Sequence, residues 1–109
     1  MVYGTYRVRN KQEAIEVYER IKSAGPILFE QAINSQKELS LIAVSDSSQV
    51  VFYPMVETCQ EGGTCRFVSF PAGVSNNIER TARVHVQRIM EKLNARGLFA
   101  FEFCLTHDG

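Results

Sequence analysis

An α+β fold with mostly antiparallel strands and two helices, in the order β-α-β-β-β-β-α-β, is what the 109-residue sequence predicts. Two observations carry it. Stretches opening at Asn10 and Ser75 place apolar residues at helical spacing behind an N-cap residue. Short runs rich in Val, Ile and Phe, punctuated by Gly, Asn, Asp and Ser turns, fill the remainder and read as strands.

In chain order, residues 6–9 read as the end of a strand. Asn10 followed by Glu13 is a capping-box pattern that opens a helix to Ala24, with Ala14, Val17 and Ile21 on one face and Gly25-Pro26 as its stop. Residues 27–33 read as a strand, Asn34-Ser35-Gln36 as a turn, and residues 38–45 as the next strand. Asp46-Ser47-Ser48 turns the chain into a strand over residues 50–57. Glu61-Gly62-Gly63 marks a hairpin loop, and residues 65–70 return from it. Ser75 caps a longer helix to about Arg96, with Ile78, Ala82, Ile89 and Leu93 as its buried stripe and Gly97 as its end. Residues 98–105 form the last strand, with Phe99, Phe101, Phe103 and Leu105 on one side and Leu98, Ala100, Glu102 and Cys104 on the other.

Composition limits the function classes. The chain is one domain's worth at most. Lys+Arg 12 against Asp+Glu 12 leaves no net charge, so neither nucleic acid nor an anionic membrane is an expected partner. No apolar run is long enough to span a bilayer, and residues 1–10 lack a signal-peptide layout. Cys59, Cys65 and Cys104 are an odd number without a CxxC pair, which fits a reducing cytoplasm. With His85 and His107 they match no common zinc spacing.

Three glutamates are candidates for chemistry. An unpaired buried carboxylate costs several kcal/mol, so Glu102 must be exposed, paired or bound to a cation. The ordinary reading is a solvent-exposed face at a sheet edge. Leu98, Ala100 and Cys104 on the same face favour a floor under a ligand, and Mg²⁺ takes one or two protein carboxylates and completes its shell with phosphates and water. Glu30 and Glu38 flank a strand-to-linker segment whose backbone groups can serve an adenine edge while a carboxylate accepts ribose hydroxyls. Glutamates beside a turn are more often simply solvated.

ILFEQAINSQKELSLIAV, VVFYPMVE, GTCRFVSFPAGVS and GLFAFEFCLTHDG, taken in order, resemble the middle of the 5-(carboxyamino)imidazole ribonucleotide synthases. These are ATPase subunits of phosphoribosylaminoimidazole carboxylase in purine biosynthesis and belong to the ATP-grasp superfamily. The start, YGTYRVRN, is similar to the tail of the family's glycine-rich YDGxG loop, with Gly4 and Thr5 as its matching positions. The resemblance implies that residues 1–33 are the end of a small lid subdomain and residues 34–109 the start of the large subdomain. It implies adenine contacts from Glu30, Gln31, Ala32 and Ile33, a ribose contact from Glu38, and Mg²⁺ at Glu102 below the ATP phosphates. Gln60 stands where the family's VENVHxxG pattern has histidine, and Gln keeps a hydrogen-bond donor but no charge. The parent enzyme is expected to use ATP and bicarbonate to form carboxyphosphate and to carboxylate 5-aminoimidazole ribonucleotide.

Two other classes are open to comparison. Formate-dependent glycinamide ribonucleotide transformylase shares the hinge and the GLFxxEF strand, but the FYPMVE and RFVSFPAGVS blocks argue against it. A helix–strands–helix module binding duplex RNA needs lysines at the start of its second helix, and Ser75-Asn76-Asn77-Ile78-Glu79 has none. The chain resembles a cut piece lacking the family's upstream lysines and its NExAPR segment, so the fragment alone is expected to be inactive. Its last strand, left without a return arm, is expected to pair with a second copy in a homodimer.

Overall fold

The computed structural model describes residues 4–46 and 48–108. The chain divides into two compact units, Met1–Ile33 and Asn34–Gly109.

In the first unit, α1 spans Lys11–Ile21 and passes into a 3-10 turn, Lys22–Ala24. The Asn10 side chain accepts from the Glu13 N–H at 2.9 Å. Glu13 reaches back and accepts from the Arg9 N–H at 2.9 Å, one residue ahead of the cap. The predicted apolar face is only half-buried at Ala14, Val17 and Ile21, and α1 contains no buried residue. Residues 6–9 and 27–33, expected as strands, are neither helix nor strand. Both have strand composition, but a strand also needs a hydrogen-bonded neighbour, and neither segment supplies that ladder to the other.

The second unit is an antiparallel sheet covered on one face by a helix. Its strands are β1 Lys37–Ser45, β2 Val50–Phe52, β3 Val56–Glu61, β4 Thr64–Ser69 and β5 Gly97–Leu105. β5 pairs with β1 over all nine residues, from Lys37↔Leu105 to Ser45↔Gly97. β2 and β3 therefore share the other edge of β1: Phe52 faces Ala43, and Val56 faces Ser40. The single strand expected over residues 50–57 is thus two. Between them Tyr53, Pro54 and Met55 stand against Leu41 and Ile42, one residue more than the ladder accommodates. Tyr53 still donates to the Ile42 carbonyl at 2.9 Å, and Pro54 has no N–H to continue the ladder.

β4 returns on β3 through a two-residue turn. Gly62 and Gly63 have φ of 58° and 77°, the pair of positive values that a type I′ turn requires. The register shifts between Cys59 and Gln60: Cys59 faces Phe67 and Gln60 faces Cys65, which leaves Arg66 as the extra residue of a bulge on β4.

α2 spans Asn76–Lys92, capped by the Ser75 side chain, which accepts from the Ile78 N–H at 3.4 Å. It ends four residues before Arg96 because Asn94 adopts a left-handed conformation, φ 48°. The Asn94 N–H donates to the Glu91 carbonyl at 3.1 Å and the Ala95 N–H to the Met90 carbonyl at 2.9 Å, the double closure of a Schellman motif. The buried stripe is Ala82, Val86 and Met90, with Ile78 half-buried. Ile89 and Leu93, placed in that stripe from sequence, are 44% and 72% exposed. The i,i+4 row through Val86 faces the sheet and leaves those two on its flank. Against this row pack Leu39, Leu41 and Ala43 of β1 with Met55 and Ala72, flanked by Phe52, Phe101, Phe103 and Leu105. Together they form the core.

The β1–β2 turn is held by one carboxylate. Asp46 Oδ1 accepts from the Ser48 hydroxyl at 2.7 Å, the Ser48 N–H at 2.9 Å and the Gln49 N–H at 3.0 Å. These donors, the hydroxyl first, favour the ionised form and hold its pKa at about 2, below the ordinary 3.8. A folded value below the unfolded one contributes stability in full above the unfolded pKa and loses it as pH falls toward the folded one. Asp46→Ala should therefore flatten the fall in stability between about 3.8 and about 2, read from urea unfolding at each pH. An acid limb identical to the parent's would contradict this.

Candidate functional site

Alternation along β1 sends Leu39, Leu41 and Ala43 to the helix and Glu38, Ser40, Ile42 and Val44 to the opposite face. The β5 register completes that second face: Cys104 lies opposite Glu38, Glu102 opposite Ser40, Ala100 opposite Ile42 and Leu98 opposite Val44. From β3, Thr58 stands beside Glu38 and Val56 beside Ser40. The extra bulge residue belongs to β4, so the β3 alternation continues and Gln60 shares the face of Thr58. Three residues singled out from sequence, Gln60, Glu38 and Glu102, thus lie in a diagonal row across β3, β1 and β5.

Glu38 is half-buried and Glu102 exposed, on a floor of Val56, Ile42, Ala100 and Leu98. Diagonal neighbours on a sheet stand about 7–8 Å apart. At that separation two carboxylates repel by about 0.5 kcal/mol in water, an amount the fold tolerates and a bound cation would reverse. Among the described residues no group of three or more His, Cys, Asp or Glu is placed to hold a metal ion. An ion that takes few protein ligands and fills its shell from phosphate and water, as Mg²⁺ does, is the kind that Glu102 alone could hold on this face. The exposure of Glu102 on β5 also answers to the ordinary reading, since β5 bonds only β1 among the described strands.

The remaining candidates belong to the first unit. Gly4, Thr5, Glu30, Gln31 and Ala32 line one cavity of about 760 Å³, together with Tyr6, Val17, Tyr18, Ile21 and Phe29. That volume lies within the range of small-molecule sites, roughly 300–1,000 Å³, and its apolar lining is of the usual kind. Ile33 does not line it. Glu30, Gln31, Ala32 and Ile33 are all exposed. At the cavity's edge the Arg20 guanidinium stacks over the Tyr6 ring, 5.0 Å from its centroid.

Lys37 was not singled out from sequence. Its Nζ donates to Glu57 Oε2 at 2.6 Å and to the Ala72 carbonyl at 3.2 Å. The partners are 20 and 35 residues away, so no local spacing announces the contact. The three cysteines are free thiols, with Cys59 half-buried and Cys65 and Cys104 exposed.

The ATP-grasp domain family matches residues 2–109, and the chain belongs to that family. The N5-carboxyaminoimidazole ribonucleotide synthase of Mycobacterium leprae is 34% identical over 109 aligned residues, 97% of this chain and 25% of that protein. The crystal structure of N5-carboxyaminoimidazole ribonucleotide synthetase from Thermus thermophilus superimposes with a TM-score of 0.80 at 32% identity, over 93% of this chain and 28% of that one. Carboxyaminoimidazole ribonucleotide synthase from Aspergillus clavatus, complexed with ATP, gives 0.80 at 30% identity, over 94% and 27%. The chain therefore spans about a quarter of the length of these relatives. Among the described residues no helix is long and apolar enough to cross a membrane.

If Glu38 and Glu102 serve a ligand rather than the fold, removing both charges should leave stability intact. Glu38→Gln with Glu102→Gln should change the unfolding free energy by no more than about 0.5 kcal/mol in urea denaturation, the range for surface substitutions. A loss well above 1 kcal/mol would make the pair structural.

Proposed function

We propose that the chain is the central ATP-binding segment of a purine-biosynthesis ligase that carboxylates 5-aminoimidazole ribonucleotide with ATP and bicarbonate. The observation that carries the reading is the shared sheet face of Glu38 and Glu102, one diagonal step apart, in a chain of the ATP-grasp family. The relatives' names support the substrate. So does an Aspergillus clavatus structure described as a complex with ADP and 5-aminoimidazole ribonucleotide, 28% identical with a TM-score of 0.78.

In this reading residues 1–33 are the end of the small lid subdomain and residues 34–109 the start of the large one. Gly4 and Thr5 belong to the loop over the phosphates, and Glu30, Gln31, Ala32 and Ile33 present backbone and side-chain groups to adenine. Glu38 accepts the ribose hydroxyls and Gln60 donates a hydrogen bond beside it. Glu102 would hold Mg²⁺, which would offset the charge of the phosphate oxygens. What this chain contributes to phosphoryl transfer is the fixed placement of the nucleotide, since such reactions are driven by positioning and charge neutralisation. The reading places the enzyme in the cytoplasm. It also pairs two copies as a homodimer, through the edge of β5 that β1 leaves unbonded.

Calorimetric titration with Mg-ATP tests it. Binding near about 1 mM, worth about −4 kcal/mol, is expected from the parent chain, and Glu38→Ala should abolish it. An isotherm unchanged by that substitution would overturn the residue assignment. Light scattering of the same sample gives the mass of the assembly.

A further inference from the structure

Lys37 is the first residue of β1, and its side chain lies on the face opposite to that of its neighbour Glu38. Its ammonium joins three stretches of chain: β1 itself, β3 through Glu57, and the loop before α2 through the Ala72 carbonyl. The loop comes close. At Gly73, φ +65°, an added Cβ would stand 3.3 Å from Lys37 Nζ. The side chains of the ion pair are 28% and 33% exposed, so the contact is partly shielded from water, unlike an ordinary surface pair.

This contact stands at a short pairing. β1 and β3 share only three register pairs, Glu38↔Thr58, Leu39↔Glu57 and Ser40↔Val56, and the extra residue at positions 53–55 interrupts the ladder immediately beyond. β1 itself is secured along nine pairs to β5, and the Gln36 N–H bonds the Leu105 carbonyl at 2.7 Å at the same end. The β3–β4 hairpin has no comparable hold on β1. A one-residue slip of β3 would send Thr58 and Gln60 to the other face.

We propose that Lys37 is a positioning residue, whose bridge to Glu57 and Ala72 fixes the β3–β4 hairpin, and with it Thr58 and Gln60, beside Glu38. The consequence for nucleotide binding rests on the function proposed above; the anchoring itself does not. The bridge works from the face opposite the site, so Lys37 acts on the ligand only through the register that it holds.

Two measurements on the full chain test this, each with Lys37→Met, Lys37→Arg and Glu57→Gln. The first is amide hydrogen exchange without nucleotide. Residues 56–58 should exchange about tenfold faster in Lys37→Met and Glu57→Gln, and the β5 amides should be unaffected, because local opening exposes only the hairpin ladder. Lys37→Arg, which keeps a cation and its donors, should restore protection. The second is Mg-ATP titration, where Lys37→Met should bind about tenfold more weakly and Lys37→Arg should recover, as expected for a misplaced contact. Unchanged exchange in Glu57→Gln, which introduces no large change in shape, overturns the proposal even if Lys37→Met fails to fold. Faster exchange with unchanged affinity overturns the link to the site. Faster exchange in a chain whose parent binds no Mg-ATP supports the anchoring and overturns the function instead.

Discussion

β1 is bonded along both edges and carries the buried side chains Leu39, Leu41 and Ala43 on one face, so its register decides the placement of everything else in the second unit. Strand alternation leaves no freedom: once those three residues pack against Ala82, Val86 and Met90, Glu38 must lie on the far side. A slip of one residue would drive the Glu38 carboxylate into the core at a cost of several kcal/mol while exposing three apolar side chains. The same alternation, passed across nine paired residues, puts Glu102 beside Ser40 and the phenylalanines of β5 beside the leucines of β1. The acidic face and the core are thus two consequences of one packing decision.

Charge follows the same division. Lys37 sends its ammonium to the helix side, where Glu57 and a carbonyl receive it, and so leaves the other face to Glu38 and Glu102. Two carboxylates on an apolar floor, without a cation among the strand positions that pair with them, suit a ligand that brings its own positive charge. In the proposed function that charge is the Mg²⁺ of a nucleotide, which Glu102 would hold while Glu38 accepts the ribose hydroxyls. The apolar floor is equally suited to a sugar or base lying flat upon it.

Much of this was legible in the sequence where the deciding interaction is local. The Asn10 and Ser75 caps and the Gly62-Gly63 turn act within a few residues of themselves, and each is found where its residue types place it. The alternation of the last strand separated Glu102 from Phe101 and Phe103 correctly for the same reason. Residues 6–9 and 27–33 have strand composition without a ladder, which composition cannot report. Pro54 split a strand that hydropathy reads as continuous, and Asn94 closed α2 before Gly97 could. On α2 the apolar residues outnumber the contacts available, so periodicity alone did not choose Val86 and Met90 over Ile89 and Leu93. Among the site residues, the diagonal of Gln60, Glu38 and Glu102 depends on the pairings Glu38↔Thr58 and Glu38↔Cys104, 20 and 66 residues apart in sequence, distances at which a single sequence carries no signal.

In the proposed function a metal-bound nucleotide lies on the face shared by Glu38 and Glu102. Paramagnetic broadening by Mn²⁺-ATP, read at each backbone amide, probes that placement. Broadening should be strongest at Glu102, strong at Glu38, Ser40 and Cys104 and weakest at the α2 residues Val86 and Met90 behind the sheet, and should be lost in Glu102→Gln. Broadening that is uniform, centred on α2, or unaltered by that substitution would contradict it.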